Sequence, residues 1–103
     1  MAQARICGVN IRIERDPNAG LYYMHIEYRK EKELPINLGK SIQPEAVYGI
    51  VVDFLEERKI KCKSKYIKYG IANLLQNIFK EMGITDEKLL DFKLFKWTRT
   101  RHK

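Results

Sequence analysis

Arg5-Ile-Cys-Gly-Val-Asn-Ile-Arg-Ile-Glu14, the segment Arg15-Asp-Pro-Asn-Ala-Gly20, and Tyr22-Tyr-Met-His-Ile-Glu-Tyr-Arg29 decide the fold. In the first stretch Cys7, Val9, Ile11 and Ile13 alternate with Gly8, Asn10, Arg12 and Glu14, the period of a strand with one buried face. Residues 5–14 are therefore expected as one strand. Pro17 fixes φ, Asn18 tolerates a left-handed backbone and Gly20 accepts positive φ, so the chain should reverse between Arg15 and Gly20. Beyond the loop Tyr22, Met24, Ile26 and Tyr28 alternate with Tyr23, His25, Glu27 and Arg29, which predicts a second strand antiparallel to the first. Arg12, Tyr23, His25, Glu27 and Arg29 would share the open face of this hairpin.

Outward from the hairpin, Leu34, Ile36 and Leu38 suggest a short third strand, with Pro35 favouring an edge position. Helical spacing begins at Pro44, a residue suited to the first helical position because its missing N–H would be unpaired there anyway. Val47, Ile50, Val51, Phe54 and Leu55 form one apolar stripe, so residues 44–59 read as an amphipathic helix covering the sheet. Ser64 is the expected cap of a second helix carrying Ile67, Ile71, Leu74, Leu75, Ile78, Phe79 and Met82 on one side and ending at Gly83 in a left-handed conformation. Thr85 can cap a third short helix through residues 86–90, and Phe92 onward reads as a last strand. The expected class is α+β: a small antiparallel sheet made of the N-terminal hairpin, a third strand and a C-terminal strand, with two to three helices on one face.

The chain has 103 residues, 45% of them hydrophobic and 32% charged, which fits one folded domain over 1–103 with a basic tail from about 98. No repeat or flexible linker divides it. The longest uncharged run, Tyr69 to Phe79, is far shorter than a bilayer span requires, so no membrane segment is expected. The first ten residues lack the apolar core of a secretory leader, and two cysteines cannot build a disulfide framework. The expectation is a cytoplasmic protein with reduced thiols. Cys7 would lie on the buried strand face, and Cys62, set among cations, could be a reactive thiol.

Charge is unevenly placed. Residues 1–57 carry seven basic groups against nine acidic ones, whereas residues 58–103 carry thirteen against four. Two stretches of the second half have no acid: Arg58, Lys59, Lys61, Lys63, Lys65 and Lys68 populate one, and Lys93, Lys96, Arg99, Arg101 and Lys103 the other. Such clusters raise a positive potential that attracts polyanions, above all nucleic acid. Tyr66 and Tyr69 stand among the first group of cations and Trp97 among the second, as candidate stacking platforms for unpaired bases. Trp97 reads equally well as core. The expected function is non-enzymatic binding of DNA or RNA, single strands ahead of duplex, through these lysines, arginines and aromatic rings, with no cofactor. In a duplex version the second helix enters a groove, its lysines on phosphates and Asn73, Gln76 and Asn77 at base edges. Three strands leading through Ile42-Gln-Pro-Glu45 into an amphipathic helix resemble, over residues 5–58, the whirly and positive-cofactor-four class of single-strand binders. That class uses four strands before its helix, and this chain continues with a second helix.

Two rival classes share the same residues. A protein-docking module would set its basic half on an acidic partner, and Tyr48 and Val52, outside the main stripe of the first helix, would suit a homodimer seam. A metal-independent ribonuclease would use His25 as general base with Tyr23, Arg12 or Arg29 stabilising phosphorane charge. Gly39-Lys-Ser41 is set aside as a phosphate-binding loop, because that loop requires glycine where Leu34 stands and a helix starting at once. Cys7, Cys62, His25 and His102 lack the paired close spacing of a zinc site, so no metal is expected.

Overall fold

A computed structural model describes residues 2–32 and 34–83. Five strands precede two helices: β1 (Ala2–Ile6), β2 (Val9–Asp16), β3 (Leu21–Tyr28), β4 (Glu31–Lys32), β5 (Ile36–Gly39), α1 (Pro44–Glu57) and α2 (Ser64–Glu81). All pairings are antiparallel: β1 on β2, β2 on β3, and both β4 and β5 on the far edge of β3. The α+β class holds, with the helices packed against the sheet. The third helix expected at 86–90, the last strand, and the basic tail lie outside the described residues.

The strand expected over 5–14 is in fact two strands. Cys7 and Gly8 both take positive φ, 48° and 84°, and Ile6 faces Val9 across this two-residue turn. Left-handed values at both central residues match the right-handed twist of the flanking strands, the condition for the tightest hairpin. The turn switches the parity of the buried face, from Ala2 and Ile6 to Val9, Ile11 and Ile13, and an alternation counted only from Cys7 onward does not register the switch. A second two-residue turn, at Arg29 and Lys30 with φ of 50° and 68°, returns the chain from β3 to β4. The expected loop at 15–20 forms, with Asp16 Oδ1 accepting from the backbone N–H of Asn18 at 2.9 Å and Gly20 at φ 69°. The short third strand expected from Leu34 onward is β5, which begins at Ile36; Leu34 lies outside it and is 85% exposed, while Pro35 directly precedes it at the sheet edge.

The alternating residues divide the sheet into two faces. Ile6, Val9, Ile11, Ile13, Tyr22, Met24 and Ile26 are buried beneath the helices, in one core with Val47, Val51, Phe54, Leu55, Ile67, Ile71, Leu74, Leu75 and Ile78. α2 lies directly on β1 and touches β2, and α1 packs beside α2. Close seating of α2 depends on Gly70, where a Cβ would stand 2.4 Å from Ile6 Cγ1. α1 reaches the sheet near β3, where the Phe54 ring meets Tyr28 edge-on at 6.4 Å between centroids. Tyr48 is buried with the apolar stripe of α1, which removes it from an exposed dimer seam.

The cysteines are a correction. Cys7, in the β1–β2 turn, is disulfide-bonded to Cys62 between the helices, so neither is a free thiol. The turn lifts Cys7 off the buried face and aims it at the inter-helix segment, a juxtaposition invisible while residues 5–14 were read as one strand. Reduced cysteines therefore no longer argue for a reducing compartment. No helix of the described residues is long and apolar enough to cross a membrane.

Candidate nucleic-acid interface

The connector from Arg58 to Lys63 is built so that cations face out. α1 ends with Arg58 as C-cap and Lys59 in the left-handed region at φ 55°. The N–H of Lys59 donates to Glu56 O at 3.1 Å and that of Ile60 to Leu55 O at 2.9 Å, the paired bonds of a Schellman motif. The motif turns Ile60 back onto the core, as its usual apolar contact requires. Cys62, two residues on, is also packed against the core and held by its bond to Cys7. Ile60 and Cys62 are thus the inward anchors, and Lys59, Lys61 and Lys63 between and beside them are exposed.

α2 begins at Ser64 with Lys63 as N-cap; Ser64 is the first helical residue, one place beyond its expected role, and no side chain caps the helix. Its first turn has no acidic residue, so the partial positive charge of the free N–H groups adds to the lysines. Lys65 is exposed, Lys68 half-buried, and Lys65 Nζ sits 5.2 Å from the centre of the Tyr66 ring. Tyr66 is 50% exposed and Tyr69 71%. Tyr66, Tyr69, Asn73, Asn77 and Lys80 recur at three- and four-residue steps and form the solvent face of α2, with Gln76 half-buried beside them.

Among the expected site residues, Lys59, Lys61, Lys63, Lys65, Tyr66, Lys68 and Tyr69 are brought together along the connector and the first turns of α2. None of these five lysines has a carboxylate of the described residues within ion-pairing distance. Arg58 departs from the group. Its Nη1 donates to Glu31 Oε2 at 2.9 Å and its guanidinium stacks 5.0 Å from the Phe54 ring centre, so an acid from the N-terminal half engages its charge. Lys93, Lys96, Trp97, Arg99 and Arg101 lie outside the described residues.

The open sheet face keeps Arg12, Tyr23, His25 and Glu27 together, half-buried, whereas Arg29 sits in the β3–β4 turn over the Tyr28 ring at 5.1 Å. Arg12 faces His25 directly across the β2–β3 ladder. Glu14 was overlooked in the sequence. Its Oε1 lies 2.6 Å from His25 Nε2, without hydrogen-bond directionality, and 3.9 Å from Arg12 Nη2. Its place on the same strand face, two residues from Arg12, was the available signal. Among the described residues, no group of three or more His, Cys, Asp or Glu side chains is arranged to hold a metal ion. Comparison of the chain with protein-family models, curated proteins and solved structures finds no match.

Proposed function

We propose that the protein binds nucleic acid, without catalysing a reaction, through the α1–α2 connector and the outer face of α2. The observation that carries this reading is the alternation of inward Ile60 and Cys62 with outward Lys59, Lys61 and Lys63, continued by Lys65, Tyr66, Lys68 and Tyr69. Lysines without acidic partners among the described residues suit phosphates, and half- to largely exposed tyrosine rings suit unpaired bases. Single strands are therefore the preferred ligand, DNA or RNA. Asn73, Asn77 and Lys80 extend the same face and offer groups for base edges should the helix enter a duplex groove.

The cytoplasmic setting expected from sequence is retained only for a compartment that keeps disulfides, as the cytosol of hyperthermophiles does. The test is fluorescence titration of single- and double-stranded oligonucleotides at several ionic strengths. With about four phosphates neutralised, log K should fall against log salt with a slope of about −2.8 for a single strand and −3.6 for a duplex. A salt-independent affinity, or an acidic protein that binds where oligonucleotides do not, overturns the proposal.

A further inference from the structure

The sheet face turned away from the helices holds a polar hollow that the reading above leaves unused. Strand register aligns two rows of side chains across it. Gln3, Arg12 and His25 form one row, and Asn10, Glu27 and Lys32 form the next. These six residues line a concavity of about 500 Å³, walled on one side by Pro35. The wall exists because β4 pairs with β3 at Glu27 and Tyr28 and β5 pairs with it at Tyr22 to Met24, so neither register includes His25 or Ile26.

The hollow has a donor that no acceptor of the described residues meets. Arg12 Nε is shielded from solvent and has no hydrogen-bond partner among the described residues. A guanidinium N–H can only donate, so the complement it needs is an acceptor. His25 Nε2 is shielded too and, among the described residues, meets Glu14 without the directionality of a hydrogen bond. Arg12 Nη2 approaches Glu14 no closer than 3.9 Å, which leaves the fork of the guanidinium available to a two-oxygen acceptor. The second row has different chemistry. Glu27 accepts and Asn10 does both, about 7 Å further along the strands, two residues at the strand rise.

We infer that this hollow binds a phosphorylated sugar, its phosphate oxygens on the Arg12 guanidinium and, displacing Glu14 Oε1, on His25 Nε2, and a sugar hydroxyl on Glu27 and Asn10. Lys32 adds a second cation at the rim. Glu27 disfavours a bare polyphosphate by charge and favours a ligand that couples one phosphate to a hydroxyl. The chemistry is common to a free sugar phosphate and to the sugar-phosphate unit of a nucleic-acid strand. The site is separate from the connector lysines, on the opposite side of the sheet, and stands or falls independently of them.

The experiment follows the Arg12 Nε–H and His25 ring resonances by NMR, with calorimetry, in the full chain titrated with ribose 5-phosphate, inorganic phosphate, and an oligonucleotide lacking a terminal phosphate. Ribose 5-phosphate should shift both resonances and bind more tightly than inorganic phosphate. Arg12→Lys, which keeps charge but loses the fork, should weaken binding about tenfold or more. Glu27→Gln should abolish the preference for ribose 5-phosphate over inorganic phosphate. Lys61→Gln/Lys63→Gln should leave all of this unchanged. If the oligonucleotide displaces ribose 5-phosphate from Arg12, the phosphorylated sugar is that of a strand; if it does not, the ligand is a free sugar phosphate. Thermal unfolding checks each variant, and His25→Gln carries the test should Arg12→Lys fail to fold. Unmoved Arg12 and His25 resonances, or full affinity in both the Arg12 and His25 variants, overturns the inference.

Discussion

Cys7 and Cys62, 55 residues apart in sequence, tie the β1–β2 turn to the segment between the two helices. One cysteine sits in a left-handed turn and the other between two exposed lysines, so the bond fastens the cationic connector to the edge of the sheet. Closing a loop of that length removes denatured-state entropy worth about 4 kcal/mol on the chain-entropy estimate. That is a large share of the stability of a domain this size, about 5–15 kcal/mol. Reduction, or Cys7→Ser/Cys62→Ser, is expected to lower Tm by on the order of 10–20 °C in calorimetry. A Tm unchanged by reductant would show that the connector is held by Ile60 and the Schellman motif alone.

Gly70 has no room for a methyl group. An added Cβ would meet Ile6 Cγ1 at 2.4 Å and Cδ1 at 2.7 Å, in the contact that seats α2 on β1. Replacing glycine by alanine inside a helix normally stabilises by about 1 kcal/mol, whereas overpacking a core costs about 1–3 kcal/mol. Gly70→Ala should therefore be net destabilising, by up to about 2 kcal/mol, in urea unfolding. In an Ile6→Ala background the same substitution should be neutral or stabilising. Equal destabilisation in both backgrounds would remove the clash as the cause.

Where periodicity governed the side chains, the sequence was readable. Val9, Ile11 and Ile13 against Met24 and Ile26, and Ile67, Ile71, Leu74, Leu75 and Ile78 along α2, are buried as their spacing predicts. Turns were harder. Cys7-Gly8 and Arg29-Lys30 are hairpin turns whose four residues all take positive φ, yet only one of them is glycine, so local chemistry gave little notice. Missing the first turn also hid the disulfide, because a cysteine inside a continuous strand cannot be aimed at the connector. The lysine run was plain, but its outward orientation depends on Ile60 and Cys62 being held inward, which required the helix terminus and the bond. Arg58 belonged to that run by sequence and left it because β4 brings Glu31 within reach. Nothing local to residue 58 announces a partner 27 positions away.

That difference between Arg58 and its neighbours is measurable. Lys61 and Lys63 are exposed without acidic partners among the described residues, so each is free to neutralise a phosphate. Lys61→Gln and Lys63→Gln should each reduce the magnitude of the salt slope for single-strand binding by about 0.7 and leave Tm unchanged. Arg58→Gln should leave the slope intact and shift stability by no more than about 1 kcal/mol, as a partly exposed ion pair does. Equal slopes for all three variants would place the contacts elsewhere on the protein.

Tyr69 and Asn73 discriminate between an unpaired strand and a duplex, since both lie on the solvent face of α2 and neither supports the core. A ring on which a base stacks is worth about 1–3 kcal/mol, and an amide paired to an adenine edge in a groove about the same. Tyr69→Leu keeps apolar bulk and loses the flat π surface, so it should weaken single-strand binding roughly 5- to 150-fold while duplex affinity stays within about twofold. Asn73→Ala should do little to either ligand if the strand is unpaired. The reverse pattern, in which Asn73→Ala relaxes preference for an adenine position in duplex DNA and Tyr69→Leu is silent, would mean that α2 reads a groove. Parallel titrations of both variants with matched oligonucleotides decide between these outcomes, and circular dichroism guards against a fold effect at either position.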